Sequence, residues 1–127
     1  MTDLPQDDEY ERRFAGVEKI YGEDAFRQYE HSHVMVIGIG GVGSWAVEAL
    51  ARTGIAELTL IDMDVIAASN INRQLPAMSS TLGREKVEVM AERCHLINPR
   101  IKINVVDDYL TPENVKELLA NTPDIEI

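Results

Sequence analysis

The chain has 127 residues, 45% of them hydrophobic and 27% charged, a composition that fits one globular core and excludes a disordered tail. Its formal net charge of −10 and pI near 4.6 argue against a broad basic face gripping a phosphate backbone, and no apolar run approaches the roughly 20 residues that cross a bilayer. The polar start MTDLPQDDEYERRF lacks the layout of a signal peptide, and the single Cys94 has no companion for a disulfide or a zinc site, so a cytoplasmic address with no membrane partner is expected.

Much of the acidic excess sits in Asp3, Asp7, Asp8, Glu9 and Glu11, read as a solvated and partly mobile N-terminal segment. Residues 6–30 are expected to form two short polar helices around YGEDAF, within a helical segment, 1–32, that precedes the nucleotide-binding part, 33–127. Residues 33–39 form a β-branched apolar run bounded by glycine, which reads as a buried strand. A helix follows over 44–53, with Trp45, Ala46, Ala49 and Leu50 available to one face and Gly54 placed for a left-handed C-terminal cap.

The second strand, 57–62, ends in Asp62 and leads into a polar loop from 63 to about 81. Val87, Met90, Ala91, Cys94 and Ile97 recur at helical spacing, and Pro99 stops that helix. Residues 101–108 alternate as a third strand. TPENVKELLA opens a helix with Thr111 as N-cap and Pro112 in its first turn. DIEI begins a fourth strand that reads as cut rather than finished. The order β-α-β-α-β-α-(β) predicts an α/β fold: a doubly wound, Rossmann-like, mostly parallel sheet with helices on both faces, truncated at the fourth strand.

Gly38, Gly40 and Gly43 satisfy G-x-G-x-x-G between a strand and a helix, with Gly41 beside them, so tight turn, close approach to phosphate and close helix packing each have a candidate. The helix N-terminus that follows offers free N–H groups to an anion. Asp62, 24 residues after Gly38, stands where such folds place a carboxylate against ribose hydroxyls, with Asp64 in support. These features fit a dinucleotide and ATP equally. SNINRQ, residues 69–74, followed by Lys86, tips the balance: phosphoryl or nucleotidyl transfer needs cations and amides along a triphosphate, and Asn70, Arg73 and Lys86 supply them.

GIGGVGSWAVEALARTGI, LTLIDMD, SNINRQ, GREKVEVMAER and INPRI, in this order, resemble the ubiquitin-activating-type adenylation superfamily of ThiF-like and MoeB-like enzymes, over nearly the whole chain from Arg13 onward. Within it, GVGSWA, ARTGI and INRQ resemble the branch that dehydrates threonylcarbamoyladenosine in tRNA. The resemblance implies an ATP- and Mg2+-dependent homodimer that adenylates a carboxylate of that tRNA nucleoside, after which intramolecular attack closes a ring and expels AMP. It places Gly40 and Gly41 near the phosphates, Asp62 at the ribose, and Asn70 with the catalytic Arg73 and Lys86 at the triphosphate. Arg13 resembles the arginine that such dimers pass into the neighbouring ATP site. The family's magnesium-associated Asp is expected just beyond Ile127, so no metal ligand is assigned here, and Asp124 and Glu126 are not promoted to that role.

The rival readings are activation of a ubiquitin-like sulfur carrier with a sulfur-transfer partner, a nicotinamide-dependent oxidoreductase, and a non-catalytic dimerisation fragment. Cys94 falls on an apolar stripe and reads as a buried inert thiol rather than a thioester nucleophile. His31, His33 and His95 have no partner at ligand spacing. Trp45 is expected in the helix–sheet layer or at a subunit contact.

Overall fold

A computed structural model describes residues 9–120 and 124–126; Asp3, Asp7 and Asp8 lie outside the described residues. The first two helices are α1 (Tyr10–Tyr21) and α2 (Glu23–Tyr29). The sheet then alternates with helices: β1 (His33–Ile37), α3 (Gly43–Thr53), β2 (Glu57–Ile61), α4 (Lys86–Ile97), β3 (Lys102–Val106), α5 (Val115–Leu119) and β4 (Ile125–Glu126). The strand order is β3-β2-β1-β4 and every pair is parallel, with His33 opposite Glu57, Glu57 opposite Lys102, and Val34 opposite Ile125. The path runs outward from β1 to β3 and then returns across β1 to β4. Right-handed crossovers therefore put α3 and α4 on one face and α5 on the other, and the reversal opens a crevice at the C-terminal end of β1.

Alternation along the strands decides what each face buries. Val34, Val36, Leu58 and Leu60 share one face and form a core with Val47 and Ala51 of α3 and Val87, Met90 and Cys94 of α4. A second, smaller core joins Tyr10, Phe14 and Phe26 of α1 and α2, with neighbouring ring centroids 5.1 and 6.2 Å apart. Gly54 caps α3 in the left-handed conformation, and a Cβ there would stand 2.9 Å from Phe26 Cε1, so the cap is also where the N-terminal helices rest.

Three local expectations are corrected. The inward stripe of α3 is Ser44, Val47 and Ala51, while Trp45 and Ala49 are exposed, because the tight contact of Gly43 with the turn at Gly38 fixes the roll of the helix. The strands are shorter than expected: β1 stops at Ile37 rather than 39, β2 at Ile61 rather than 62, and β3 spans Lys102–Val106 rather than 101–108. Regular helix in α5 begins only at Val115. Thr111 still nucleates it: its Oγ1 accepts the Asn114 N–H at 3.2 Å while Asn114 Oδ1 accepts the Thr111 N–H at 2.7 Å.

Candidate nucleotide site

The loop after β1 is built by glycines with different duties. Gly38 turns the chain at φ +88°, which only glycine adopts without strain, and its N–H reaches the Ile61 carbonyl at 2.8 Å. Gly43 permits the close packing: a Cβ on it would fall 1.7 Å from the Gly38 carbonyl oxygen. Ser44, fully buried, donates its hydroxyl to the Gly40 carbonyl and accepts the Leu75 N–H at 3.3 Å, tying the loop to the segment that carries Arg73. A cleft of about 350 Å³ opens here, lined by Val36, Ile37, Gly38, Gly40, Val42 and Gly43.

Asp62 does more than its strand-end position announces. It is buried, and its two oxygens accept the Ile39 N–H at 2.6 Å and the Asp64 N–H at 2.8 Å, fastening the glycine loop to the end of β2. Each carboxylate oxygen keeps a lone pair, so a ribose hydroxyl can still donate to it. Asp64 accepts the Tyr109 phenol at 3.0 Å and lies 3.8 Å from Lys86 Nζ. The Asp64 carboxylate pushes the Tyr109 phenol above its ordinary value, since ionisation there would set two anions in contact.

The segment 68–74 folds as a 3-10 turn, Ala68–Asn70, in which Asn70 Oδ1 accepts the Ala67 N–H at 2.9 Å and the Asn70 carbonyl accepts the Gln74 N–H at 2.9 Å. This turn lays the Arg73 side chain over the glycine loop, its Cγ 3.6 Å from where a Cβ on Gly41 would stand. Arg73 Nη1 donates to the Ser69 carbonyl at 3.1 Å and to Asn72 Oδ1 at 3.0 Å, and the Arg73 carbonyl accepts Trp45 Nε1 at 3.0 Å. Trp45 thus braces the arginine's backbone instead of filling the helix–sheet layer.

Lys86 is the first residue of α4 and only 5% exposed. A cation at a helix N-terminus opposes the macrodipole, and a buried one costs several kcal/mol unless closely paired. Its ion pair, to a half-exposed Asp64 across 3.8 Å, is long. The structure brings Gly38, Gly40, Gly41, Gly43, Asp62, Asp64, Asn70, Arg73 and Lys86 to the C-terminal ends of β1 and β2. It does not bring Arg13 there: Arg13 Nη1 donates to the Ile97 carbonyl at 3.4 Å, and the side chain lines a separate groove with Phe14, Arg52, Arg93, Leu96 and Ile97. Cys94 is buried, with its thiol pushed up to about 12 by desolvation, so it is held as the unreactive thiol.

Sequence reasoning missed Gln74 and Tyr109. Gln74 is 7% exposed, its Nε2 lies 3.8 Å from where a Cβ on Gly40 would stand, and its Oε1 is buried with no hydrogen-bond partner. An orphaned buried acceptor costs about 1–3 kcal/mol. Its place in INRQ, directly after Arg73, was the available signal.

A parallel sheet with a glycine turn at its switch point, an acidic residue closing β2 and two cations beyond places the chain in the doubly wound α/β class, with a candidate nucleotide site at that turn. The ThiF family model matches residues 10–126, and the chain belongs to the ThiF family. It is 56% identical over 119 residues to the tRNA threonylcarbamoyladenosine dehydratase of Haemophilus influenzae, covering 94% of this chain and 46% of that protein. It is 50% identical to the enzyme of the same name from Escherichia coli K12, over 89% of this chain and 42% of that one. The crystal structure of E. coli TcdA in complex with ATP superposes with a TM-score of 0.92 at 46% identity, covering 98% of this chain and 51% of that chain. The TcdA complex with AMP gives 0.93 over 98% of this chain and 50% of that chain. The chain spans about half the length of these relatives.

Proposed function

We propose that this chain is the ATP-binding part of an enzyme that activates the carboxylate of threonylcarbamoyladenosine in tRNA by adenylation and closes it to a ring. The observation that carries this reading is the buried Lys86, loosely paired with Asp64 beside a glycine loop that Arg73 overlies. A pyrophosphate bridge in a dinucleotide needs no such cations beyond the loop, whereas a triphosphate whose pyrophosphate departs does. The ATP and AMP complexes of similar TcdA structures support the same ligand, and the dehydratase names of the relatives support the substrate.

ATP supplies a good leaving group: AMP is transferred to the carboxylate with release of pyrophosphate, and ring closure then expels AMP carrying the carboxylate oxygen, a net dehydration. In this reading the loop around Gly40 and Gly41 seats phosphate against backbone N–H groups at the start of α3. Asp62 accepts from the ribose. Lys86 moves its charge from Asp64 to the β- and γ-phosphates together with Arg73, while Asn70 shapes the turn that presents them. Among the described residues no three His, Cys, Asp or Glu side chains form a group that could hold a metal ion, so no step is assigned to Mg2+ here.

The reading includes a cytoplasmic homodimer in which Arg13 serves the neighbouring subunit's site. Activation of a sulfur carrier is the rival from the same chemistry; a molybdopterin-synthase adenylyltransferase from Salmonella typhimurium is 35% identical over 78% of this chain, below the 56% and 50% of the Haemophilus influenzae and Escherichia coli dehydratases. Among the described residues no helix is long and apolar enough to cross a membrane. Calorimetry of Mg-ATP against NAD on the full-length protein tests the ligand. ATP is expected to bind the more tightly, and equal or tighter binding of NAD would overturn the assignment.

A further inference from the structure

The geometry points to Gln74 as an additional contact residue for the phosphates, its amide turned to the anion seated at Gly40. This rests on the ATP reading above. Gln74 sits at the end of the turn that carries Arg73, anchored by its N–H to the Asn70 carbonyl, and its own carbonyl accepts the Ala77 N–H at 3.1 Å. Its side chain is nine-tenths buried with Nε2 against Gly40. Its Oε1 is buried and has no partner, although a leucine of similar volume would fill the space without that penalty. An amide kept here at such a cost is explained by what its other end does, and Nε2 is an N–H donor beside a glycine whose missing side chain leaves room for a phosphate oxygen. Ser44 bridges the same two segments, from the Gly40 carbonyl to the Leu75 N–H, so the donor's distance from the loop is fixed rather than left to a mobile side chain.

Two substitutions in the full-length protein test this, with wild type, Mg-ATP and adenosine as probes. Gln74→Leu removes both the donor and the orphaned acceptor. It is expected to keep or raise the melting temperature of the unliganded protein while weakening Mg-ATP binding roughly tenfold or more and leaving adenosine binding within about twofold. Gln74→Glu keeps the shape and places an anion against the phosphates, so it should lose Mg-ATP more completely while retaining adenosine. Undiminished Mg-ATP affinity in either variant overturns the inference, as does a parallel loss of adenosine and ATP or a lowered melting temperature in Gln74→Leu, which would mark a structural role. A wild type that binds no ATP sinks the underlying nucleotide reading, a result separable from the first.

Discussion

From the N-terminal end of the strands to their middle, His33 Nε2 meets Thr59 Oγ1 at 2.6 Å, and Asn104 Nδ2 donates to Thr59 Oγ1 at 3.0 Å and to Glu57 Oε2 at 2.7 Å. The His33 N–H reaches Asp124 Oδ2 at 2.7 Å, and the Asp124 N–H answers to the His33 carbonyl at 2.8 Å. At the C-terminal end, 3.8 Å separates Lys86 from Asp64, and Gln74 Oε1 has no partner. One end closes on itself; the other is left needing something. Buried polar groups are tolerated when paired, so the first set holds strands in register, whereas the long Lys86–Asp64 pair and the Gln74 amide N–H leave charge and donor capacity that an anion could use at the second. Asp124 accordingly belongs to the structural end.

The largest expected effect comes from Gly43→Ala. A methyl group 1.7 Å from the Gly38 carbonyl oxygen cannot be accommodated without moving the loop or the helix, so both folded yield and nucleotide binding should collapse. Wild-type melting behaviour with intact ATP binding would show that the loop is not built as described.

Lys86→Ala comes next and sharpens the contrast between the ends. Loss of a cation that stabilises the departing pyrophosphate should slow ATP–pyrophosphate exchange by roughly 10²–10³-fold, with circular dichroism unchanged. Thr59→Val should do the reverse: a loss of about 1–3 kcal/mol in urea unfolding, since His33 and Asn104 lose their shared partner, with ATP affinity intact. Weakened ATP binding in Thr59→Val would break the comparison.

The smallest effect concerns Glu48, between α3 and α4. Hydrogen bonds from Arg93 at 2.6 and 2.9 Å, joined by Arg52 at 2.8 Å, hold its carboxyl below the usual carboxylate range despite desolvation. A depressed folded value stabilises above the unfolded value of about 4.3 and loses that contribution as pH falls through the folded one. The stability gap between wild type and Glu48→Gln should therefore be open at neutral pH and close as the pH drops below about 4, read from denaturant midpoints.

Periodicity and turn chemistry made the alternation of strands and helices legible, because a buried parallel strand and a glycine-stopped helix each announce themselves locally. The roll of α3 was not legible: Trp45 and Val47 are both apolar, and only the Gly43–Gly38 contact decides that Val47 turns inward. In the candidate site, Asp62, Arg73 and Lys86 could be named from spacing and resemblance, but their partners could not. That Asp62 fastens the Ile39 N–H, that Lys86 is buried, and that Trp45 holds the Arg73 carbonyl are properties of segments brought together across 23 or more residues. Gln74 escaped notice because its defining property, an unpaired buried oxygen, exists only in three dimensions.

The central claim is tested most directly by ATP–pyrophosphate exchange in the full-length protein, with tRNA carrying threonylcarbamoyladenosine compared against the same tRNA lacking the modification. Exchange that depends on the modified nucleoside is the predicted result. Exchange that ignores the modified tRNA and requires a sulfur-carrier protein instead would contradict it.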